Sequence, residues 1–227
     1  MPLSVSFFLI ISIFPMTYSV FLVNAVNAQS TSYFYPQNEK PFGLSYPEWA
    51  AKWTKFVFEY PSKDARVNDP NGSLCAVNQT SQVWILPGAS SGKFTRKCTI
   101  PFGTSILISP TDTFCNKKDS PAVGDNEVEI RKCVKDDLDE DTYSYAILDG
   151  IKLSNLHEPN RFQSIMFNLN YPPGEGPYKT VTDGVFLMLK PLSRGNHTLV
   201  QAAGATQPGE SADQGWNYQV TYQLEVK

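Results

Sequence analysis

Histidine is almost absent: His157 and His197 are the only two in 227 residues. That leaves nucleophilic catalysis short of a base, and neither residue stands near a nucleophile motif such as G-x-S-x-G. Cysteine pairs at C-x-x-C spacing are missing too, so the four cysteines, Cys75, Cys98, Cys115 and Cys133, lack the pattern of a zinc site. There is no basic stripe, and a formal charge of −3 offers no field for a phosphate backbone, which excludes nucleic acid as a partner. Charged residues of both signs make up only 18% of the chain, while proline, glycine, tyrosine and phenylalanine are plentiful. This is the usage of a turn-rich β protein rather than a helical bundle.

Charge is wholly missing ahead of Glu39 and Lys40, and apolar residues dominate from Phe7 to Val23. This is the pattern of an export signal. Val26 and Ala28 occupy the small-residue positions of a signal peptidase site, so residues 1–28 read as a signal peptide cut after Ala28. Pro15 argues against an uninterrupted spanning helix, and contact with a membrane is expected only through this segment if it is left uncleaved. Residues 29–42, "QSTSYFYPQNEKPF", have no sustained period and read as an extended leader. The remainder, 43–227, has the length of a single domain with a real core. The expected location is therefore secreted, extracellular or at the cell surface.

In an oxidising compartment the four cysteines read as two disulfides. Three pairings are open. Cys75–Cys98 with Cys115–Cys133 is favoured because each closes a local loop of roughly 20 residues, worth about 3 kcal/mol apiece in the chain-entropy model. Export also gives meaning to three N-x-[ST] triplets at Asn71, Asn78 and Asn196, which are candidate glycosylation sites on exposed loops.

The stretch "SYPEWAAKWTKFVFEYP" opens with serine and glutamate at S-x-x-E spacing and has Pro47 in its first turn, which predicts a capped helix from Ser45 stopped by Pro61. At 100° per residue Trp49, Trp53, Phe56 and Tyr60 form an apolar stripe, with Lys52, Lys55 and Glu59 beside it. The stripe is expected to be buried, and Phe58, opposite it, is the ring singled out as a candidate aromatic surface. A second helix is predicted over "EVEIRKCVKDDL", capped by Asp125 or Asn126. About nine short strands fill the rest. They include a hairpin around Asp149-Gly150 and the faultless alternation of "WNYQVTYQLEV". The expected fold is mainly all-β: an antiparallel β-sandwich, jelly-roll or immunoglobulin-like, with one or two peripheral α-helices.

Taken together, "GLSYPEWAAKWTKFVFEYP", the Cys75–Gly88 element with its Val-Trp-Ile-Leu, "RKCTIPFGTSILISP" and "DGVFLMLKPLSRGNHTL" resemble a family of exported bacterial and archaeal proteins. That family carries a Trp-rich segment, a C…Q-S-G-P-V-W-F-L element and a D-G-x-x-L-M-L-x-P-L-x-x-G-x-H-T-I element. The chain departs from it where Ser81-Gln82 precede Val83-Trp84. The resemblance spans nearly the whole mature chain. It implies export and one folded unit, and it carries over no catalytic residue.

Glycoside hydrolysis needs two carboxylates about 5 to 10 Å apart across a sugar. Asp112, Asp149, Asp183 and Glu175 are candidates, but nothing local pairs them, and turn geometry before a glycine accounts for Asp149 and Asp183. Calcium is the one cofactor weighed, through the oxygens of "NDPNGS" and of the acidic run from Asp136 to Asp141, although the spacing of a calcium loop is lacking. The reading leans away from an enzyme and towards a non-catalytic binding protein, with a polysaccharide, other glycan or envelope component as ligand. A structural subunit offering its last strand to a neighbour's edge, or an extracellular carbohydrate-active enzyme, are the alternatives.

Overall fold

The computed structural model describes residues 33–59, 66–80, 82–155, 159–172, 174–205 and 215–227. The expected signal peptide, Tyr60 and His157 lie outside the described residues. Among these, the secondary structure is mostly strand. The strands are β1 (Val83–Ile85), β2 (Gly92–Ile100), β3 (Ser105–Cys115), β4 (Tyr143–Leu148), β5 (Ile151–Asn155), β6 (Arg161–Gln163), β7 (Phe167–Leu169), β8 (Tyr178–Leu189), β9 (Gly195–Gly204) and β10 (Asn217–Val226). Two helices accompany them, α1 (Tyr46–Phe58) and α2 (Glu127–Leu138).

The strands form two sheets. One runs β1-β3-β8-β6, with β7 also paired to β8; the other runs β2-β10-β9-β4-β5. Both are mixed, which corrects the expectation of wholly antiparallel sheets: β1 pairs parallel with β3, and β2 pairs parallel with β10. The chain leaves β1 in one sheet and enters β2 in the other, so neither strand meets its partner through a hairpin. A parallel pair needs such a long-range return.

Alternation along the strands sorts side chains to opposite faces. On the first sheet Ile106, Ile108, Leu187 and Leu189 face the second sheet, where they meet Ile100, Leu199, Val220, Tyr222 and Leu224. From the other face, Leu107, Phe186 and Met188 meet Tyr46, Trp49, Ala50, Trp53 and Val57 of α1. Strands buried on both faces explain the unbroken apolar run "VFLML". Helix α2 covers Cys115 and Val181 through Ile130 and Val134. The expected leader is docked as well: Phe34 is buried in the core, and the backbone N–H of Tyr35 donates to the Met188 carbonyl at 2.9 Å.

Helix α1 starts as its capping residues require, with the Ser45 backbone N–H donating to the Glu48 carboxylate at 2.8 Å. Its buried face is centred differently from the expected stripe. Trp49 and Trp53 are inside, joined by Tyr46, Ala50, Thr54 and Val57, whereas Phe56 is half-buried beneath the Arg66 guanidinium at 3.9 Å. Thr54 closes that face by hydrogen-bonding Thr182 of β8 at 2.5 Å.

The single strand expected over "RFQSIMFNLN" is split into β6 and β7. Ser164 interrupts it, accepting the Thr182 backbone N–H on its hydroxyl in place of a regular ladder bond. The structure joins Cys75 to Cys98 and Cys115 to Cys133. Among the described residues no helix is long and apolar enough to cross a membrane.

Candidate functional site

A cavity of about 250 Å³ opens where the C-terminal half of α1, the loop after β1, the middle of β3 and the start of β10 converge. Trp53, Phe58, Trp216 and Tyr218 give it aromatic walls, Pro87 to Ser90 form one side, and Ser109 to Asp112 form another.

Each wall has a local cause. The register of β3 against β8 shifts between Ile108 and Thr111, because Pro110 has no N–H for the ladder. The resulting bulge turns Asp112 towards the cavity. It can lie this close to β8 only because residue 184 is glycine: a Cβ there would stand 2.6 Å from the Asp112 Cβ. Gly88 is needed for the same reason, since its Cβ would meet the Tyr218 hydroxyl at 2.5 Å. Tyr218 donates to the Pro110 carbonyl and ties β10 to the bulge.

The loop after β1 is held from behind. Arg96, 1% exposed, donates to the carbonyls of Pro87 and Gly88 at 2.9 Å each, of Asp69 at 2.7 Å and of Val67 at 2.8 Å, and to the Tyr222 hydroxyl at 3.0 Å. The Gln201 amide donates to the Leu86 carbonyl at 2.9 Å. A buried guanidinium satisfied by backbone carbonyls fixes the wall rather than offering a charge to a ligand. At the mouth Trp216, 42% exposed, donates its indole N–H to the Ser90 carbonyl at 2.5 Å, and its ring tilts against Tyr218 with centroids 6.0 Å apart.

Asp112 is the one carboxylate that faces the cavity among its described lining residues. Burial pushes its carboxyl up to about 6, against hydrogen bonds from Ser109 and from the Trp53 side chain that hold it down, while the charge of Asp141 raises it further. Asp141 accepts from the Thr111 hydroxyl and is not part of the lining. Tyr218 titrates well above its usual range, chiefly through burial, with Asp112 and Asp141 adding to the effect.

The other candidates fall elsewhere. Phe58 is half-buried, packed edge-on against Phe114 at 5.0 Å and Tyr171 at 5.3 Å, and it lines the cavity. Turn geometry accounts for Asp149, where φ is positive at both Asp149 and Gly150. It does not account for Asp183, which lies inside β8 and takes a bidentate pair from Arg161 at 3.0 and 2.9 Å. Glu175 makes a surface pair with Lys118 at 2.6 Å. His197 bridges Asp149 at 2.6 Å and the Ser193 carbonyl at 3.0 Å, with the Ser193 hydroxyl at 3.3 Å. With one ring nitrogen on a carboxylate and the other on a carbonyl, this histidine fastens two turns instead of activating a serine.

Several of the oxygens considered for calcium are engaged within the fold. Asp69 accepts the backbone N–H groups of Asn71, Gly72, Ser73 and Leu74, which makes "NDPNGS" an aspartate-centred turn. In the acidic run Asp136 pairs with Lys132, and Asp139 with Lys135 and Arg161. Asn71, Asn78 and Asn196 are all exposed.

No motif in the sequence marks Trp216, Tyr218 or Arg96 as site residues. The usable signal was Pro110 inside a strand-like run, which marks a bulge.

No protein-family profile matches the chain, and no curated protein does. Among solved structures, the cysteine protease inhibitor EhICP2 from Entamoeba histolytica is similar at 15% identity, covering 64% of this chain and 96% of that one with a TM-score of 0.25. PbICP-C, solved in complex with falcipain-2, is similar at 9% identity over 64% of this chain and 99% of that one, with a TM-score of 0.26. Amebosin follows at 12% identity, 60% and 98% coverage and a TM-score of 0.20. Similarity this low assigns neither a family nor a partner.

Proposed function

We propose that the chain is a secreted or cell-surface binding protein without catalytic activity, and that its ligand site is the aromatic-walled cavity at Asp112 and Trp216. The ligand is a polysaccharide or other envelope glycan. The observation that carries this reading is the combination of a prebuilt, aromatic-walled cavity with a single carboxylate among its described lining residues. Stacking faces beside a few fixed polar groups are what an oriented ligand requires, and a wall held by Arg96 and Gln201 lowers the ordering cost of binding. Hydrolysis of a glycoside needs a second carboxylate across the sugar, and Asp141, whose charge acts on Asp112, is not among the described lining residues.

The structural-subunit alternative loses its main support. Strand β10 is paired with β2 on one side and β9 on the other, so it has no edge to lend. Two disulfides fit an oxidising compartment, and exposed Asn71, Asn78 and Asn196 fit a glycoprotein. We read the strand orders, β1-β3-β8-β6 facing β2-β10-β9-β4-β5, as an immunoglobulin-like rather than a jelly-roll arrangement.

The test is an array of envelope and extracellular glycans probed with the full chain and with Trp216→Ala. Saturable binding by the first that is lost in the second supports the reading, and an array left unbound by the intact chain refutes it.

A further inference from the structure

The cavity has a charge asymmetry that a neutral sugar does not use. Its described lining includes the carboxylate of Asp112 and no lysine, arginine or histidine. Among the described residues, the ionisable groups acting on Asp112 and Tyr218 include Asp141, felt by both, Tyr222, and Arg96 behind the Pro87–Gly88 wall. Arg96 directs its N–H groups at the carbonyls of that wall, at the Asp69 carbonyl and at the Tyr222 hydroxyl. The described lining is therefore electronegative: a carboxylate and the Thr111 segment next to Asp141, set among aromatic walls.

Resting on the glycan reading above, we propose that the cavity selects a sugar bearing a free, protonated amine, with the ammonium held by Asp112 and the ring stacked at Trp216. An ammonium satisfies this site in two ways. It gives Asp112 a counterion that the described lining does not supply, and it gains cation–π attraction from the rings around it. Acetylating the amine removes both gains, and an acidic sugar would meet Asp112 with like charge. The space suits one pyranose-sized group rather than a long chain, so the amine-bearing residue is read singly while the rest of the polymer lies outside.

The experiment is calorimetry of the full chain near neutral pH with three β-1,4-linked oligosaccharides of equal length, built from glucosamine, N-acetylglucosamine and glucose. Cyclohexylammonium serves as a ring-sized amine without hydroxyls. The glucosamine oligomer is expected to bind at least about tenfold more tightly than the other two, and Asp112→Asn should abolish that preference. Trp216→Ala, at the exposed mouth of the cavity, should weaken all three sugars together, with urea unfolding of the variant checking that its fold is kept.

Equal affinity for the three sugars, or a preference unchanged in Asp112→Asn, overturns the amine inference and leaves the glycan reading standing. Binding of cyclohexylammonium lost in Asp112→Asn, with no sugar bound, upholds the ammonium site and refutes the glycan reading. No binding of any probe refutes both.

Discussion

Replacing Asp112 by asparagine keeps the shape of the side chain and removes its charge. The folded carboxyl titrates at about 6 against an ordinary value of 3.8, chiefly because it is buried. A group whose folded value is raised favours the folded state below its unfolded value, and that contribution is lost as pH rises through the folded value. The difference is about two units at about 1.4 kcal/mol each, so ionised Asp112 costs the folded state at most about 3 kcal/mol at neutral pH. Access of water through the cavity mouth reduces the figure. The amide oxygen of asparagine can still accept from Ser109 and Trp53. Asp112→Asn should therefore stabilise the chain by about 1 to 3 kcal/mol near pH 7.5 and by almost nothing near pH 4, with the gain appearing between about pH 4 and 6. Urea unfolding followed by tryptophan fluorescence across that range reads the effect. A variant less stable at both ends, or a gain independent of pH, would refute the argument that charge burial dominates at this position.

Arg96→Met should cost about 3 to 5 kcal/mol in the same assay, because it strands the carbonyls of Val67, Asp69, Pro87 and Gly88 in the interior. Gly184→Ala should cost more than about 1 kcal/mol, since its methyl group would stand 2.6 Å from Asp112 and 2.8 Å from the Thr111 carbonyl; an unchanged unfolding midpoint would show that the bulge yields freely. For His197, burial pulls the imidazole down, but the Asp149 hydrogen bond, the Ser193 carbonyl and the Asp149 charge outweigh it and leave it raised. Its contribution is thus fully present below the ordinary value near 6.5 and fades as pH rises through the raised one. Proton NMR should place its midpoint above 6.5 and find it lower in Asp149→Asn.

Local signals in the sequence carried far. The Ser45–Glu48 capping box, the Asp149-Gly150 turn and the alternation of β10 each describe contacts within a few residues, and each has its counterpart in the structure. The parallel pairings of β1 with β3 and β2 with β10 join segments whose approach no local pattern encodes. The burial of α1 shows the same limit. Helical spacing placed Trp49 and Trp53 inside, but which flank is covered depends on where Phe186 and Met188 meet the helix, and Phe56 was left to Arg66. The cavity was the least legible feature because it gathers Trp53, Gly88, Asp112 and Trp216 from four separate segments. Asp112 stood out as a carboxylate without a local partner. What the fold adds is that its neighbours among the described residues are rings and a second acid.

The central claim is that ligand binds at the Asp112–Trp216 cavity, and calorimetry of the intact chain against Trp216→Ala with the glucosamine oligomer tests it most directly. The account predicts saturable binding by the intact chain and at least about a tenfold loss in the variant, the scale of one stacked ring in a binding site. Equal affinity in the two chains would place the ligand elsewhere and contradict it.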